Sequence, residues 1–326
     1  LLAVLFFYDR ATYADTGAKS WFRFGTFSFQ PSEVVKIFYI LILAKVATSH
    51  NMKTKYKTNQ TDWQLFVKLI LWAAPALVLV ILQNDLGTTL VFLMILGGVL
   101  IMSGISWKIL LPIIIVAGLI GALLIYLVVY NRQILLNIGF KNYQFARIDS
   151  WLDPYGDQGG NGYQLFQSLK AIGSGKMLGK GFGVSDVYVP VRESDLIFAT
   201  IGENFGFLGG TFLIAIYFIL IYQMIRVCFD TKNEFYTYIA TGVIMMILFH
   251  VVENIGMTIG LLPLTGIPLP FISQGGSSLL GNMMGIGLIM SMRYHFKSTI
   301  FEDEDAAFGA NQQDATMLRL RQEDGK

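Results

Sequence analysis

Stretches of roughly 17 to 23 mainly apolar residues, the length that crosses a hydrocarbon layer about 30 Å thick as a helix, recur along this chain and leave few folds open to it. They read as spans at 31–48, 66–83, 87–103, 108–130, about 205–226, 236–258 and 277–293, with residues 1–8 as the tail of another. Hydrophobic residues make up 54% of the 326 positions and charged residues 14%, with a mean hydropathy of +0.56. That is too apolar for an ordinary soluble protein. The expected fold class is an all-α polytopic membrane protein. Residues 1–8 are too short to cross and carry no initiator Met, so the chain is expected to start inside a larger protein, after one or more further helices. The opening has neither a basic n-region nor a small-residue cleavage site, so no cleavable signal peptide is expected.

The net charge of +2 indicates no partner, and nothing points to a nucleic acid. The distribution of charge does carry information. Lys53, Lys55 and Lys57 lie in the loop 49–65, Arg226 and Lys232 in the turn 226–235, and Arg293 and Lys297 open the C-terminal tail. The positive-inside rule puts these segments in the cytoplasm. The segments 9–30, 84–86, 131–204 and 259–276 then fall outside. The seven Lys and Arg of residues 131–193 do not oppose this, because long loops translocate largely regardless of charge. The expected organisation is a transmembrane domain over 1–300, containing a large extracellular loop at 131–204, and a disordered cytoplasmic tail at 301–326 that begins with the acidic run Glu302-Asp303-Glu304-Asp305. The single cysteine, Cys228, allows no internal disulfide.

Ionisable groups near or inside spans cost several kcal/mol unless they face a polar cavity or a partner. Glu33, Lys36, Asp85, Glu203 and Glu253 are such groups, and all fall toward the outer ends of their spans. Glu33 and Lys36 share a face of a helix opened by Pro31, either as a pair that orients the helix or as part of a cavity wall. Asp85, in the outer turn Gln83-Asn84-Asp85-Leu86-Gly87-Thr88, is explained by N-capping the next helix. Asp195 sits where the polar loop returns to an apolar helix. It reads equally well as a helix cap or as a base, since desolvation at a lipid–water boundary raises a carboxyl pKa toward neutrality. Eight positions separate it from Glu203, which on a helix would put both on one side. Arg192 is placed to offset the charge of Asp195 or to hold a phosphate. His250 precedes Glu253 by three and is able to pair with it. No His/Cys cluster has metal-ligand spacing, and no Walker loop, dinucleotide fingerprint or nucleophile elbow is present. The glycines of 173–183 are consistent with turn chemistry alone.

Several ordered strings resemble the SEDS family of shape, elongation, division and sporulation proteins, which includes RodA and FtsW. They are Gly17-Ala18-Lys19-Ser20-Trp21, Phe29-Gln30-Pro31-Ser32-Glu33 with Lys36, Gln83 to Thr88, Arg147 with Trp151-Leu152-Asp153-Pro154, and Gly162-Tyr163-Gln164 with Gln167-Ser168. Further along come Ala171 to Gly175, Ser194 to Ala199 with Glu203, Asn254-Ile255-Gly256, and Gly266 to Ser273. The stretch 261–270 looks more like the RodA branch. The resemblance implies a SEDS-type bundle with about eight of ten transmembrane helices present. It further implies a glycosyltransferase that polymerises lipid II into glycan strands on the outer face of the bacterial cytoplasmic membrane, for cell elongation and shape. Asp195 falls on the family's loop aspartate, the expected catalytic base of an inverting displacement. Trp21, Glu33, Lys36, Asp85, Arg192, Glu203, Asn254, Pro270 and Ser273 are carried over as substrate-binding or cavity residues. No cofactor is required, although a divalent metal ion is compatible with a pyrophosphate leaving group; Lys36, Arg192, Lys170, Lys176 and Lys180 are the candidate cations. The implied partner is a class B penicillin-binding protein. This chain departs from the family pattern at Glu193-Ser194, at Gln274 and at Asn84. Two other function classes stand beside the enzyme: a lipid II flippase or transporter, which would place charges at the bilayer midplane, and a non-catalytic scaffold for a transpeptidase.

Overall fold

The computed structural model describes residues 2, 20–24, 27–54, 56–138, 142–156, 162–231 and 233–295. A short antiparallel hairpin, β1 (Phe22–Phe24) and β2 (Phe27–Phe29), pairs Phe22 with Phe29 and leads into the bundle. This hairpin is an addition to the all-α expectation. The long helices are α1 (Pro31–Lys53), α2 (Asn59–Leu82), α3 (Leu86–Met102) and α4 (Trp107–Tyr130). Three shorter helices follow, α5 (Arg132–Ile138), α6 (Asn142–Leu152) and α7 (Tyr163–Gly175), then α8 (Ile197–Thr231) and α9 (Glu234–Thr258). A last helix, α10, covers 276–295. Among the described helices α2, α4, α8 and α9 are long and apolar enough to cross a membrane. The expected tail at 301–326 and the apolar start at 1–8, apart from Leu2, lie outside the described residues, as do Gly17 to Lys19.

Local chemistry starts these helices where they start. Pro31 occupies the first turn of α1 with Glu33 beside it, which suits both the missing proline N–H and the positive helix end. Thr58 and Thr61 form a reciprocal capping box on α2. Asp85 caps α3 by accepting from the Thr88 N–H at 3.0 Å, and Ser106 and Asn233 cap α4 and α9. Asn84, between α2 and α3, takes φ 59°. Asn tolerates that left-handed conformation.

The bundle is organised around α9, which packs against α1, α3, α7 and α8. A small residue brings it close: a Cβ on Gly242 would lie 2.6 Å from Ile40 Cγ2, so the Ile40 side chain of α1 rests against the α9 backbone. By contrast α4 buries only Leu110 and Val128, leaving its sides to lipid. The segment read from the sequence as a long polar loop is substantially helical. Trp151 Nε1 donates to the Gly260 carbonyl at 3.0 Å and Ser168 Oγ to that of Thr258 at 2.8 Å, docking α6 and α7 onto the end of α9.

The largest difference from the expected spans is at α8, which begins at Ile197 rather than near 205 and breaks at Gly206, with φ 64° and ψ −160°. The glycine-rich stretch after α7 satisfies the break. The Phe207 and Leu208 amides donate to the Lys176 and Met177 carbonyls at 2.9 and 3.1 Å, and the Lys180 and Gly181 amides to those of Glu203 and Asn204, each at 3.0 Å. These glycines thus form a backbone splint, which goes beyond turn chemistry. A Cβ at Gly206 would collide with the Gly179 and Met177 backbones, and its dihedrals are essentially restricted to glycine. Gly206→Ala should therefore destabilise the protein by at least about 1–3 kcal/mol, read as a lowered Tm of the detergent-solubilised protein. An unchanged Tm would mean that the break is not needed.

Candidate active site

A cavity of about 320 Å³ opens at one end of the bundle. Its walls come from the N-terminus of α1 (Glu33, Lys36), the α2–α3 turn (Asn84, Asp85), Trp21 and Gln30 beside the hairpin, Arg147 of α6, His250 of α9, and two irregular segments that carry Asp195 and Thr265 to Pro268.

The cavity floor carries ionisable groups that are almost fully buried. Lys36 is 1% exposed and Glu33 3%, and the Lys36 ammonium lies 2.9 Å from Glu33 Oε1. Its second partner is His250 Nε2 at 3.1 Å, while His250 Nδ1 sits 2.6 Å from the Met246 carbonyl. A carbonyl only accepts, so Nδ1 carries the proton and Nε2 offers its lone pair to Lys36. The imidazole is therefore neutral, and it orients a lysine. The expected pairing of His250 with Glu253 is replaced by this contact; Glu253 Oε1 instead accepts from Thr265 Oγ1 at 2.9 Å. Asp85, besides capping α3, accepts from Gln30 Nε2 at 3.1 Å, so its capping and cavity-lining roles coexist.

Asp195 is half-buried and lies before the first turn of α8, so the helical spacing that would align it with Glu203 does not apply. Burial pushes its carboxyl up to about 6, partly opposed by a hydrogen bond from the Ser194 side chain. Its Oδ2 faces Gly266, where an added Cβ would be 3.3 Å away and where φ is +78°. A side chain there would both crowd the carboxylate and strain the backbone.

Two carried-over residues hold the aspartate from behind. Asn254 Nδ2 donates to the Asp195 carbonyl at 2.7 Å and the Ile267 carbonyl at 2.8 Å, tying both irregular segments to α9. Ser273 Oγ donates to the Ser194 carbonyl at 2.6 Å and accepts from the Leu269 amide at 2.8 Å. The Gln274 amide adds a bond to the Glu193 carbonyl at 2.8 Å, and the Pro270 carbonyl accepts from the Tyr217 hydroxyl at 2.5 Å. Asn254 and Ser273 are thus positioning residues outside the cavity lining, and Pro270, also outside it, is tied to α8 through Tyr217. Backbone polarity explains their placement, because irregular chain at membrane depth must have its N–H and C=O groups satisfied.

Glu203 and Arg192 also lie outside the cavity. Glu203 is fully buried, and its Oε1 accepts from Lys180 Nζ at 3.0 Å and from the Asp186 and Val187 amides at 3.1 Å each. Those donors offset its desolvation, so it pins the loop. Arg192 turns to Ser185, to Thr200 and, at 4.0 Å, to Glu203 Oε2; Asp195 is not among its described partners. Hydrogen bonds to Asp186 and then Glu203 hold Lys180 above its usual pKa, and it is likewise engaged in the loop. Lys170 and Lys176 are exposed and away from the lining. Among the described residues, the cations that do face the cavity are Lys36 and Arg147. Arg147 was legible only as part of a motif, since nothing local to it marks a cavity. Among the described residues no group of three or more His, Cys, Asp or Glu side chains could hold a metal ion.

Fold and site together define a polytopic helical membrane protein with a charged cavity at one membrane face, built on irregular segments that carry a raised-pKa aspartate. A family model described as cell cycle protein, FtsW/RodA/SpoVE, matches residues 1–298, and the chain belongs to that family. It is 34% identical over 281 residues to stage V sporulation protein E of Bacillus subtilis, covering 85% of this chain and 71% of that one. It is 35% identical over 288 residues to peptidoglycan glycosyltransferase MrdB of Escherichia coli, covering 86% and 72%. Among solved structures it resembles a chain of a peptidoglycan synthase complex described as coordinating polymerization and crosslinking, with TM-score 0.70 and 25% identity over 90% of this chain and 79% of that one. It also resembles the Thermus thermophilus rod shape determining protein RodA, with TM-score 0.57 and 25% identity over 90% and 75%.

Removing one member of the buried ion pair should cost more than removing both. Glu33→Ala leaves the Lys36 ammonium uncompensated, a loss of about 3–5 kcal/mol, whereas Glu33→Gln with Lys36→Met should recover most of it. Thermal unfolding of the three proteins in detergent measures this. Equal Tm values for the single and double variants would show that the pair is not a coupled buried unit.

Proposed function

We propose that this protein is a peptidoglycan glycosyltransferase that polymerises lipid II on the outer face of the bacterial cytoplasmic membrane, with Asp195 as general base. The reading is supported above all by one observation: a half-buried carboxyl held up to about 6, fixed through its own backbone by Asn254, at a cavity that also receives Lys36 and Arg147. A donor with an α-linked pyrophosphate gives a β-1,4 bond by direct inversion. The acceptor's 4-hydroxyl oxygen attacks the donor's anomeric carbon, its proton passes to the Asp195 carboxylate, and the bond to pyrophosphate breaks with the electron pair leaving on oxygen. Lys36, and Arg147 nearer the mouth, meet the charge that develops on the departing group. The mechanism requires no enzyme nucleophile. The family relationship and the shared architecture with a synthase complex support a membrane-anchored crosslinking transpeptidase as partner, with growing glycan strand and membrane lipids as the other contacts. The basic inner loops favour an orientation with the cavity outside and the 301–326 tail in the cytoplasm. A transporter reading is disfavoured because the cavity's charges gather at the end of α1 and the start of α3 rather than at midspan.

General base assistance is typically worth about 10²–10⁴ in rate, so Asp195→Asn should abolish most glycan polymer formed by purified protein from labelled lipid II. The same change should not lower Tm at pH 7.5. A carboxyl whose folded pKa is raised from 3.8 to about 6 disfavours the folded state once ionised, and Asn removes that cost. The base works deprotonated, so wild-type kcat/KM should fall about tenfold per pH unit below about 6 and level off above it. Polymer yield from Asp195→Asn equal to wild type, or a flat profile down to pH 5, would overturn the assignment.

A further inference from the structure

We propose that a groove between α1 and α2, at the end of the bundle opposite the cavity, is a binding site for the phosphate headgroup of an anionic phospholipid. The groove encloses about 660 Å³, and its charged or titratable lining consists of Lys45, Lys53, Lys68 and His50, with no acidic side chain among the lining residues. His50 lies fourteen residues after Lys36 along α1, roughly 21 Å at 1.5 Å per residue. The groove is therefore separate from the candidate active site, and the proposal does not rest on the catalytic reading.

The groove is built for an anion. His50 is 8% exposed, with Nε2 3.2 Å from the Thr61 carbonyl and Nδ1 3.1 Å from Lys68 Nζ. The carbonyl only accepts, so the ring proton is on Nε2 and the Nδ1 lone pair takes one hydrogen of the Lys68 ammonium. A neutral, buried histidine thus holds Lys68 in place with two hydrogens left to donate. Asp62, which acts on His50 from beside the groove, accepts from the Ser106 amide at 2.9 Å and sets one carboxyl against three lysines. That excess of like charge is unfavourable, and a phosphate satisfies several such donors at once.

The occupant is a lipid because the groove runs up the helices. Lys45 precedes Lys53 by eight residues, about 12 Å of helix, and Lys68 lies nine residues into α2. Around them Ile42 and Trp72 are 41% and 59% exposed, a wall suited to acyl chain and interfacial contact. Lysines at this depth reach outward along their stems toward the headgroup layer, and basic pockets between transmembrane helices on the cytoplasmic side bind anionic headgroups. The basic inner loops assign the site to the inner leaflet.

Native mass spectrometry of the full-length protein from detergent, titrated with dioleoyl-phosphatidylglycerol or dioleoyl-phosphatidylcholine, tests this. Wild type should retain phosphatidylglycerol in preference to phosphatidylcholine. Each lysine near a membrane surface contributes about a fivefold preference, so Lys45→Gln with Lys68→Gln should weaken retention roughly 25-fold, while Lys45→Arg with Lys68→Arg should keep it. Both lysines are exposed, and the arginine variant also controls for folding. Equal retention of the two lipids, or undiminished retention by the glutamine variant, would overturn the proposal. So would displacement of the lipid by millimolar inorganic phosphate, which would mark a free-anion site, or by a synthetic peptide spanning 298–312, which would make the acidic tail the occupant.

Discussion

Irregular backbone near a membrane is tolerated only when its polar groups have partners, and the amide of Asn254 meets that condition for both segments of the candidate site at once. By donating to the Asp195 and Ile267 carbonyls, it fastens the loop that ends in α8 to the loop that leaves α9. Ser273 repeats the clamp from the other side by bonding Ser194. The position of the Asp195 carboxyl, its partial burial and its raised pKa all depend on these backbone contacts.

Charge placement follows the same economy of partners. Lys36 is buried with Glu33 on its own helix and His250 on the central one, and these two contacts fix its ammonium at the cavity wall. Glu203 is buried more completely, yet it serves architecture. Three donors from the loop 180–187 converge on one of its oxygens and so fix the segment that precedes Asp195. Two acidic residues eight positions apart therefore do different work, one exposed to a cavity and one closed within the loop.

Much of this was legible beforehand. The spans came from uninterrupted apolar length; the cost of charges at span ends flagged Glu33, Lys36 and Asp85, which line the cavity, and equally Glu203 and Glu253, which do not. Family motifs supplied Trp21 and Asp195. Other readings went astray where local spacing was taken for geometry. Asp195 and Glu203 were aligned on a helix that begins only at Ile197. Arg192 was set beside Asp195 because it is three residues away, but its guanidinium turns to Ser185, Thr200 and Glu203. The polar stretch after α4 read as loop because its helices are short and lack the uninterrupted apolar run that marks a membrane span. His250 drew little attention, since one histidine in an apolar helix shows no partner until another helix is packed against it.

Sequence by itself determined that this chain is a bundle of membrane helices, roughly where most of them lie and which charged residues had to find partners, because apolar length and desolvation cost act locally along the chain. Only the tertiary structure decided which partners they found. Lys36 meets His250 across 214 positions and Ser194 meets Ser273 across 79, and such pairings are set by how α9 packs among its neighbours, which no local pattern encodes.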